Sequence, residues 1–410
     1  MALVYPHPHP HAHPRPLGIG VVGLGRAFTL MLPTFVADPR LRLSAGFDPR
    51  DEATARLTAE FKANVHTSVE ALAADPAVDV VYVASPAEHH AAHAIAAAKG
   101  GKHVLVEKPM AQSLAECQSM VDAADQARVH LIVGHSHSFD RPILRTRELI
   151  ASGAYGAPKM IAAQYYTDFL YRLRRPAELD PAQGGGVILN QGAHQVDIVR
   201  LLAGAKATSV RALAGRWDAT RPVDGAYAAL VNFEGGVFAS LLYQGYGHFD
   251  GDELCGDVTE LGRPRDRQQQ GAARRRLASL ANASEEVAAK AARNYGGAEQ
   301  VSYASDDLAH QHFGLVVVSC ERADLRPLPN GVMVYADSEA TLDPLPPPRI
   351  PRVEVIDELY AAVRDGKPAL HEGRWGMATL EVCLAMLDSA RENRDIALHR
   401  QVAAPAITSR

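Results

Sequence analysis

The chain has 410 residues, 47% of them hydrophobic and 22% charged, with a net charge of −5, a balance that suits an ordinary enzyme of two or three cored domains. That charge supports no field able to hold nucleic acid or an acidic membrane surface, and no apolar run reaches the roughly 20 residues needed to span a bilayer. Four cysteines (Cys117, Cys255, Cys320 and Cys383) stand far apart with no CxxC pair, the pattern of reduced thiols in a cytoplasmic protein and not of a disulfide framework.

Residues 1–16, MALVYPHPHPHAHPRP, alternate His with Pro; proline blocks regular structure there, so a disordered leader is expected, without the basic start and apolar centre of a signal peptide. Residues 17–22, LGIGVV, read as a buried strand leading to a helix over 29–39. A GxGxxG search matches Gly18, Gly20 and Gly23, but those glycines fall inside the strand. The turn that joins strand to helix is Gly23-Leu24-Gly25, where the first glycine allows the bend and the second lets backbone approach a pyrophosphate. Phe28 takes the third position of that register, a departure from the fingerprint. A second strand ends at Asp48, 23 residues after Gly25, where a dinucleotide-binding fold places an acid for a ribose diol. Arg50 follows and suits a 2′-phosphate, so NAD is expected with NADP as the alternative.

Strand and helix patterns then alternate to about residue 138: helix 51–63, strand 78–86, helix 88–100, strand 103–109, helix 113–129 and strand 130–139. Alternation of this kind predicts a doubly wound parallel sheet, a Rossmann domain over 17–138. In such a sheet ligands lie beyond the C-terminal strand ends. The strand HVLV ends in Glu107-Lys108-Pro109, which delivers a lysine to that edge; a surface lysine paired with Glu107 is the plain alternative. Beyond 139 come a helix ending at Gly153 or Gly156, a strand at 157–169, and a Gly-rich loop opening a helix through Leu202. Asn190, His194 and Asp197 share one face of that helix. Arg172, Arg174 and Arg175 cluster just upstream and suit an anion, because guanidinium grips a carboxylate in bidentate fashion. An Ala-rich, charged insertion near 261–297 reads as surface helices. The sheet resumes at 312–335 and two helices within 351–390 close the second domain; Leu380, Val382, Cys383, Met386 and Leu387 recur at helical spacing as core. His248, Asp250, Asp252 and Glu253 lack a convincing ligand spacing, so no metal is expected.

GVVGLGR, Asp48, ASPAEHH, VEKP and GGGVILNQGAHQVD occur in an order and spacing that resembles the glucose–fructose oxidoreductase/inositol dehydrogenase family, Gfo/Idh/MocA. The resemblance covers nearly the whole chain after the leader. It implies an open, mostly antiparallel sheet in a C-terminal α+β domain over 139–400, and a homodimer or homotetramer joined through that sheet. It implies cofactor contacts at Gly23, Gly25, Arg26, Ala27, Asp48, Arg50, Ser85, Pro86, His90, Glu107 and Lys108. The family's Lys-Pro segment, often with a cis peptide, holds a lysine beside the nicotinamide, which makes Lys108 the implied catalytic lysine and His194 its proton-exchanging partner. Asn190 stands where sugar-oxidising members commonly carry aspartate, so a Lys-Asp-His relay is not available; the amide is expected to orient a hydroxyl or the lysine instead. With Arg172, Arg174, Arg175 and Asp197 as substrate contacts, the chain looks most like the phthalate dihydrodiol branch. The implied reaction is NAD(P)-dependent oxidation of an anionic cyclic diol, the cis-4,5-dihydrodiol of phthalate, to 4,5-dihydroxyphthalate. Alternatives are a sugar, inositol or uronic-acid dehydrogenase, and a non-catalytic NAD-binding regulator.

Overall fold

The computed structural model describes residues 15–300 and 308–407; the leader expected at 1–16 lies almost entirely outside them. The first unit alternates β1 (Leu17–Val22), α1 (Arg26–Ala37), β2 (Leu41–Phe47), α2 (Asp51–Phe61), β3 (Asn64–Val65), α3 (Val69–Ala73), β4 (Val80–Val83), α4 (His90–Lys99), β5 (His103–Val106), α5 (Leu114–Ala127) and β6 (Leu131–Val133). Its strands form a parallel sheet in the order β3-β2-β1-β4-β5-β6. Helices cover both faces, which is why β4 is apolar and buried at every position. The order turns back between β1 and β4, the switch point at which such sheets take ligands. The short β3 and α3 carry too few residues for a periodic signal and escape the sequence reading. The start of α5 is set by a capping box: Ser113 Oγ accepts from the Glu116 amide while Glu116 accepts from the Ser113 amide at 3.0 Å.

The second unit contains α6 (Arg141–Ala151), β7 (Pro158–Tyr166), α7 (Ala193–Ala203), β8 (Ala207–Gly215), β9 (Ala226–Phe233), β10 (Phe238–Gln244), α8 (Ala272–Ala278) and α9 (Ala283–Ala291). It continues through β11 (Leu315–Cys320), β12 (Ala323–Leu328), β13 (Gly331–Ala336), β14 (Ala340–Pro344), α10 (Val353–Asp365), α11 (Gly373–Glu392) and β15 (Ile396–Ala397). Nine strands pair in the order β14-β13-β12-β11-β7-β10-β9-β8-β15, antiparallel except for β7 with β10. Helices α6, α7 and α11 pack on one face. On the other, Met160, Leu213, Leu230 and Phe238 are exposed, with Phe238 directly opposite Met160 across β7 and β10. The helical stripe on α11 is core as read, with Val382, Cys383 and Met386 fully buried.

Two expectations are corrected. Helix α10 does not close the second domain: Val355, Ile356 and Leu359 join Ile19, Phe35 and Val80 in one buried cluster of the first unit, and Asp357 pairs with Arg40 at 2.7 Å. An amphipathic helix carries no mark of which sheet it will cover. The insertion is likewise more than surface helices. Tyr295 just beyond α9 is fully buried against Phe28, with ring centroids 5.2 Å apart, and its hydroxyl donates to Glu60 at 2.7 Å. Glu286 on α9 accepts from the Arg174 amide at 2.7 Å and pairs with buried Arg221 at 3.0 Å. The insertion therefore crosses from the second unit to α1 and α2. All four cysteines are free thiols, and no helix among the described residues is long and apolar enough to cross a membrane.

Candidate active site

After β1 the chain turns through Gly23 at φ +92°, where a Cβ would sit 2.7 Å from the Ser85 backbone; only glycine fits. Gly25 opens α1 with no capping side chain, and a Cβ there would meet nothing within 4 Å. Open space before uncapped N–H groups fits a dinucleotide's pyrophosphate. Asp48 braces this turn: its Oδ2 accepts from the Leu24 amide at 2.7 Å and its Oδ1 from Arg50 Nε at 2.9 Å. Arg50 also donates to the carbonyls of Leu24 at 2.8 Å and Tyr295 at 3.2 Å. The arginine that suited a 2′-phosphate is thus already committed to Asp48 and to backbone.

Lys108 follows β5, with its peptide to Pro109 in the cis form. Two residues expected to touch cofactor are corrected here, because their polar atoms are used elsewhere. The ring nitrogens of buried His90 lie 2.9 Å from Pro109 O and 2.8 Å from Ser85 O, so His90 supports the lysine turn from below. Glu107 points into the sheet core and accepts from the Tyr82 hydroxyl at 2.6 Å. Ser85 Oγ faces His93 Nδ1 at 3.0 Å. Lys108 Nζ reaches across to the second unit and donates to the Asn190 carbonyl at 2.8 Å. Burial lowers its pKa from the usual lysine value, against the opposing pull of Glu107 and Glu260.

Asn190 lies in a π-helical turn, Ile188–Gly192, that leads into α7. Its side-chain Nδ2 donates to Gly186 O at 2.7 Å and Gly184 O at 3.2 Å. The expectation that its amide orients the lysine is corrected: the backbone carbonyl does so while the side chain stitches the Gly-rich loop. His194 is buried, 4.7 Å between ring centroids from both His137 and Phe313, and its Nδ1 has no hydrogen-bond partner among the described residues. Burial, with the Lys108 and His137 charges added, pushes its pKa well below the usual value, which leaves a neutral imidazole. Asp197, expected at the substrate, instead accepts from Trp375 Nε1 at 2.6 Å, Thr379 Oγ1 at 2.8 Å and the Ser138 hydroxyl. Helix α11 packs on that side of α7 and takes the carboxylate into the core.

A second set of titratable groups meets His194. Asp140 accepts from or faces His137 Nδ1 at 2.6 Å and His135 Nε2 at 3.2 Å. The other nitrogen of His137, Nε2, lies 3.7 Å from Glu260 Oε1. Burial works against a charged His137, yet Asp140 and Glu260 outweigh it and raise its pKa. His135, Asp140 and His137 are close enough to bracket a metal ion, but the carboxylate that would bind it is already shared between the two rings.

Against known proteins, residues 17–135 match the model of the oxidoreductase family with an NAD-binding Rossmann fold, and residues 143–251 match the GFO/IDH/MocA C-terminal domain. The 1-carboxy-3-chloro-3,4-dihydroxycyclohexa-1,5-diene dehydrogenase of Comamonas testosteroni is 45% identical over 373 residues, 90% of this chain and 94% of that one. The chain belongs to the Gfo/Idh/MocA oxidoreductase family. It is therefore a dehydrogenase of the NAD-binding type. A solved structure from Bordetella bronchiseptica RB50 is 38% identical, with a TM-score of 0.87 over 93% of this chain and all of that one. The WlbA dehydrogenase of Bordetella pertussis, solved with NADH and UDP-GlcNAcA, shares the fold at 20% identity, with a TM-score of 0.66 over 94% of this chain and 99% of that one.

Within this family frame the arginine trio divides. Arg172 contacts Asp168 at 3.2 Å and Glu260 at 3.4 Å; Arg175 pairs with Glu88 at 3.2 Å and approaches Glu178 at 3.6 Å. Arg174 stacks on Phe169, 3.6 Å from the ring centroid, and its buried Nε has no hydrogen-bond partner among the described residues. The three arginines expected together at an anion thus have different surroundings, and Arg174 is the one with a buried guanidinium nitrogen lacking a hydrogen-bond partner among the described residues. Arg26, at the start of α1, is drawn down to about 10 by burial and by the charges of Arg293, Arg352 and Arg172. The acidic loop read without a metal is knit by Arg265, which meets Asp250 at 2.8 Å, Glu253 at 2.9 Å and Asp257 at 3.0 Å. Sequence reading missed His137, Asp140, Phe313 and Glu260. HSHSFD was legible as a strand end at the active edge, but nothing near Glu260 in the sequence sets it apart from solvated charge.

Proposed function

We propose that the protein oxidises a carboxylated cyclic cis-dihydrodiol to the aromatic diol with NAD⁺ as acceptor, and that the cis-4,5-dihydrodiol of phthalate, giving 4,5-dihydroxyphthalate, is its substrate. The near-full-length similarity to a dehydrogenase named for a carboxylated dihydroxycyclohexadiene carries this reading. NAD, held by the Gly23–Gly25 turn, Arg26 and Ala27 of α1, Asp48 and the Ser85-Pro86 edge, supplies the hydride acceptor. The bond between Arg50 and Asp48 favours NAD over NADP, because a 2′-phosphate would have to displace it.

The chain's own task is the proton. As hydride leaves the carbinol carbon, the hydroxyl proton passes to Lys108, whose buried amine sheds its charge more readily than a free lysine does. The Asn190 carbonyl aims that amine, and neutral His194 offers a second acceptor. General-base help of this kind contributes roughly 10²–10⁴-fold. The resulting ketone tautomerises to the catechol, and the recovered aromaticity draws the reaction forward. Arg174 is the substrate-carboxylate contact that its unmet Nε supports. The apolar face carrying Met160, Leu213, Leu230 and Phe238 supports assembly as a homodimer or homotetramer, and free thiols suit the cytoplasm.

The test is reduction of NAD⁺, followed at the nicotinamide absorbance, with the phthalate dihydrodiol beside myo-inositol, glucose and a uronic acid. Turnover on the diol with a KM raised by Arg174→Ala supports the proposal. Activity on the sugars alone overturns it, as does tight NAD binding with no turnover of any diol.

A further inference from the structure

One carboxylate, Glu286 on α9, holds two arginines in different ways. Glu286 is 8% exposed, and Arg221, on the loop between β8 and β9, is 3% exposed. Their side chains pair in bidentate fashion, Arg221 Nη1 to Glu286 Oε2 at 3.1 Å and Nη2 to Oε1 at 3.0 Å, the arrangement in which a guanidinium is best matched by a carboxylate. The same Oε1 accepts from the Arg174 backbone amide at 2.7 Å. Glu286 therefore gives its charge to Arg221 and holds Arg174 by the main chain alone.

The Arg174 guanidinium is kept clear of carboxylates. It stacks 3.6 Å from the Phe169 ring centroid, Nη2 donates to the Phe169 carbonyl at 2.5 Å, and the buried Nε has no hydrogen-bond partner among the described residues. Nη1 stands 3.9 Å from Glu178 Oε1, beyond hydrogen-bond reach. Glu178 is engaged elsewhere: it accepts from the Arg175 amide at 2.6 Å and pairs with Lys290 Nζ. Glu286 and Lys290 both lie on α9, at the i, i+4 spacing that puts two side chains on one face. A single helix of the insertion thus clamps the segment 174–178 at both ends. Ring contacts connect that segment to His194: Phe169 meets Tyr243 at 6.5 Å between centroids, Tyr243 meets Phe313 at 6.1 Å, and Phe313 meets His194 at 4.7 Å.

We propose that Glu286 is the positioning residue of the anion subsite, fixing Arg174 through its backbone amide so that the guanidinium faces a substrate carboxylate, and that the insertion thereby carries the selectivity for carboxylated rings. The inference rests on the reading of Arg174 as the substrate-carboxylate contact.

The experiment measures calorimetric binding of phthalate, and of its uncharged diamide phthalamide, to full-length protein saturated with NADH. Exchanging a buried ion pair for neutral side chains of similar volume is often neutral or stabilising, so two paired variants are used, Glu286→Leu with Arg221→Met and Glu286→Gln with Arg221→Met. Both have the same net charge, and only the glutamine can accept from the Arg174 amide. Arg174→Ala should reduce the preference for phthalate over phthalamide about tenfold or more, the worth of a hydrogen bond to a charged group. The leucine pair should reduce it about threefold or more, the glutamine pair should restore it to the parent's value, and the leucine pair added to Arg174→Ala should change nothing further. An unchanged preference in the leucine pair, or an equal loss in both pairs, overturns the inference while an effect of Arg174→Ala upholds the arginine's own role. Equal weakening of phthalate and phthalamide also overturns it, since that marks a merely structural side chain. If Arg174→Ala leaves the preference intact, the reading of Arg174 fails and the inference fails with it.

Discussion

Removing Tyr295 tests whether the insertion is a working part of the dinucleotide-binding unit. The ring is fully buried, edge-on to Phe28 with centroids 5.2 Å apart, and the Arg56 guanidinium sits 5.1 Å from its centroid. Its hydroxyl donates to Glu60 at 2.7 Å, but Glu60 also pairs with Arg56 at 2.6 Å and is 37% exposed. Losing only the hydroxyl leaves that carboxylate solvated and partnered, so Tyr295→Phe is expected to cost about 1 kcal/mol. Tyr295→Ala opens a cavity beneath α1 and is expected to cost about 3–5 kcal/mol. Its effect extends to the cofactor, because the Tyr295 carbonyl accepts from Arg50, which braces Asp48 and the glycine turn. Urea unfolding measures the stability and fluorescence titration with NADH measures the binding. The alanine protein should be both less stable and weaker for NADH, with the phenylalanine protein near the parent in binding. A loss below about 1 kcal/mol for Tyr295→Ala, with NADH affinity unchanged, would refute the reasoning and return the insertion to a surface appendage.

Lys108→Ala should lower kcat/KM by about 10²–10⁴-fold, equivalent to about 2.7–5.5 kcal/mol of barrier, while NADH affinity measured by fluorescence persists. In the proposed reaction the base is the neutral amine, and burial lowers its pKa, so the parent's ascending pH limb should fall below the ordinary lysine range and vanish in this variant. Asp140→Asn breaks buried contacts with two histidines and should cost about 3–5 kcal/mol at neutral pH, read by urea unfolding. His135 and His137 oppose the burial that would raise the Asp140 pKa, and hold its carboxyl below the ordinary range. Its contribution is therefore present above the unfolded carboxylate pKa and is lost as pH falls through the folded value, so the gap between parent and variant should narrow below about pH 4.

The alternation of strands and helices and the Gly23–Gly25 turn were legible because each depends on local pattern, period and turn chemistry, whereas Lys108 and His194 were singled out as catalytic through the family resemblance. Partnership across the fold was not legible. Asp197 and His194 share a helix face in sequence, yet α11 claims the first and Phe313 meets the second. Arg172, Arg174 and Arg175 read alike in sequence, but Glu260, Phe169 and Glu88 assign them different surroundings. Those partners lie up to 88 residues away, beyond the reach of any periodicity. Helix α10 and Tyr295 escaped for the same reason, since apolar spacing shows that a face is buried but not which sheet buries it.

The route of the chain also governs how this protein can be recombined with its relatives. Two family models divide it neatly near residue 140, which invites a chimera cut at that point. Such a cut would separate the first sheet from α10 and Tyr295, which complete its core from positions far along the chain. A graft that exchanges residues 17–140 alone would join an apolar surface to a helix shaped for another partner. Exchange of nucleotide specificity between family members should succeed only when 293–300 and 353–365 travel with the first segment.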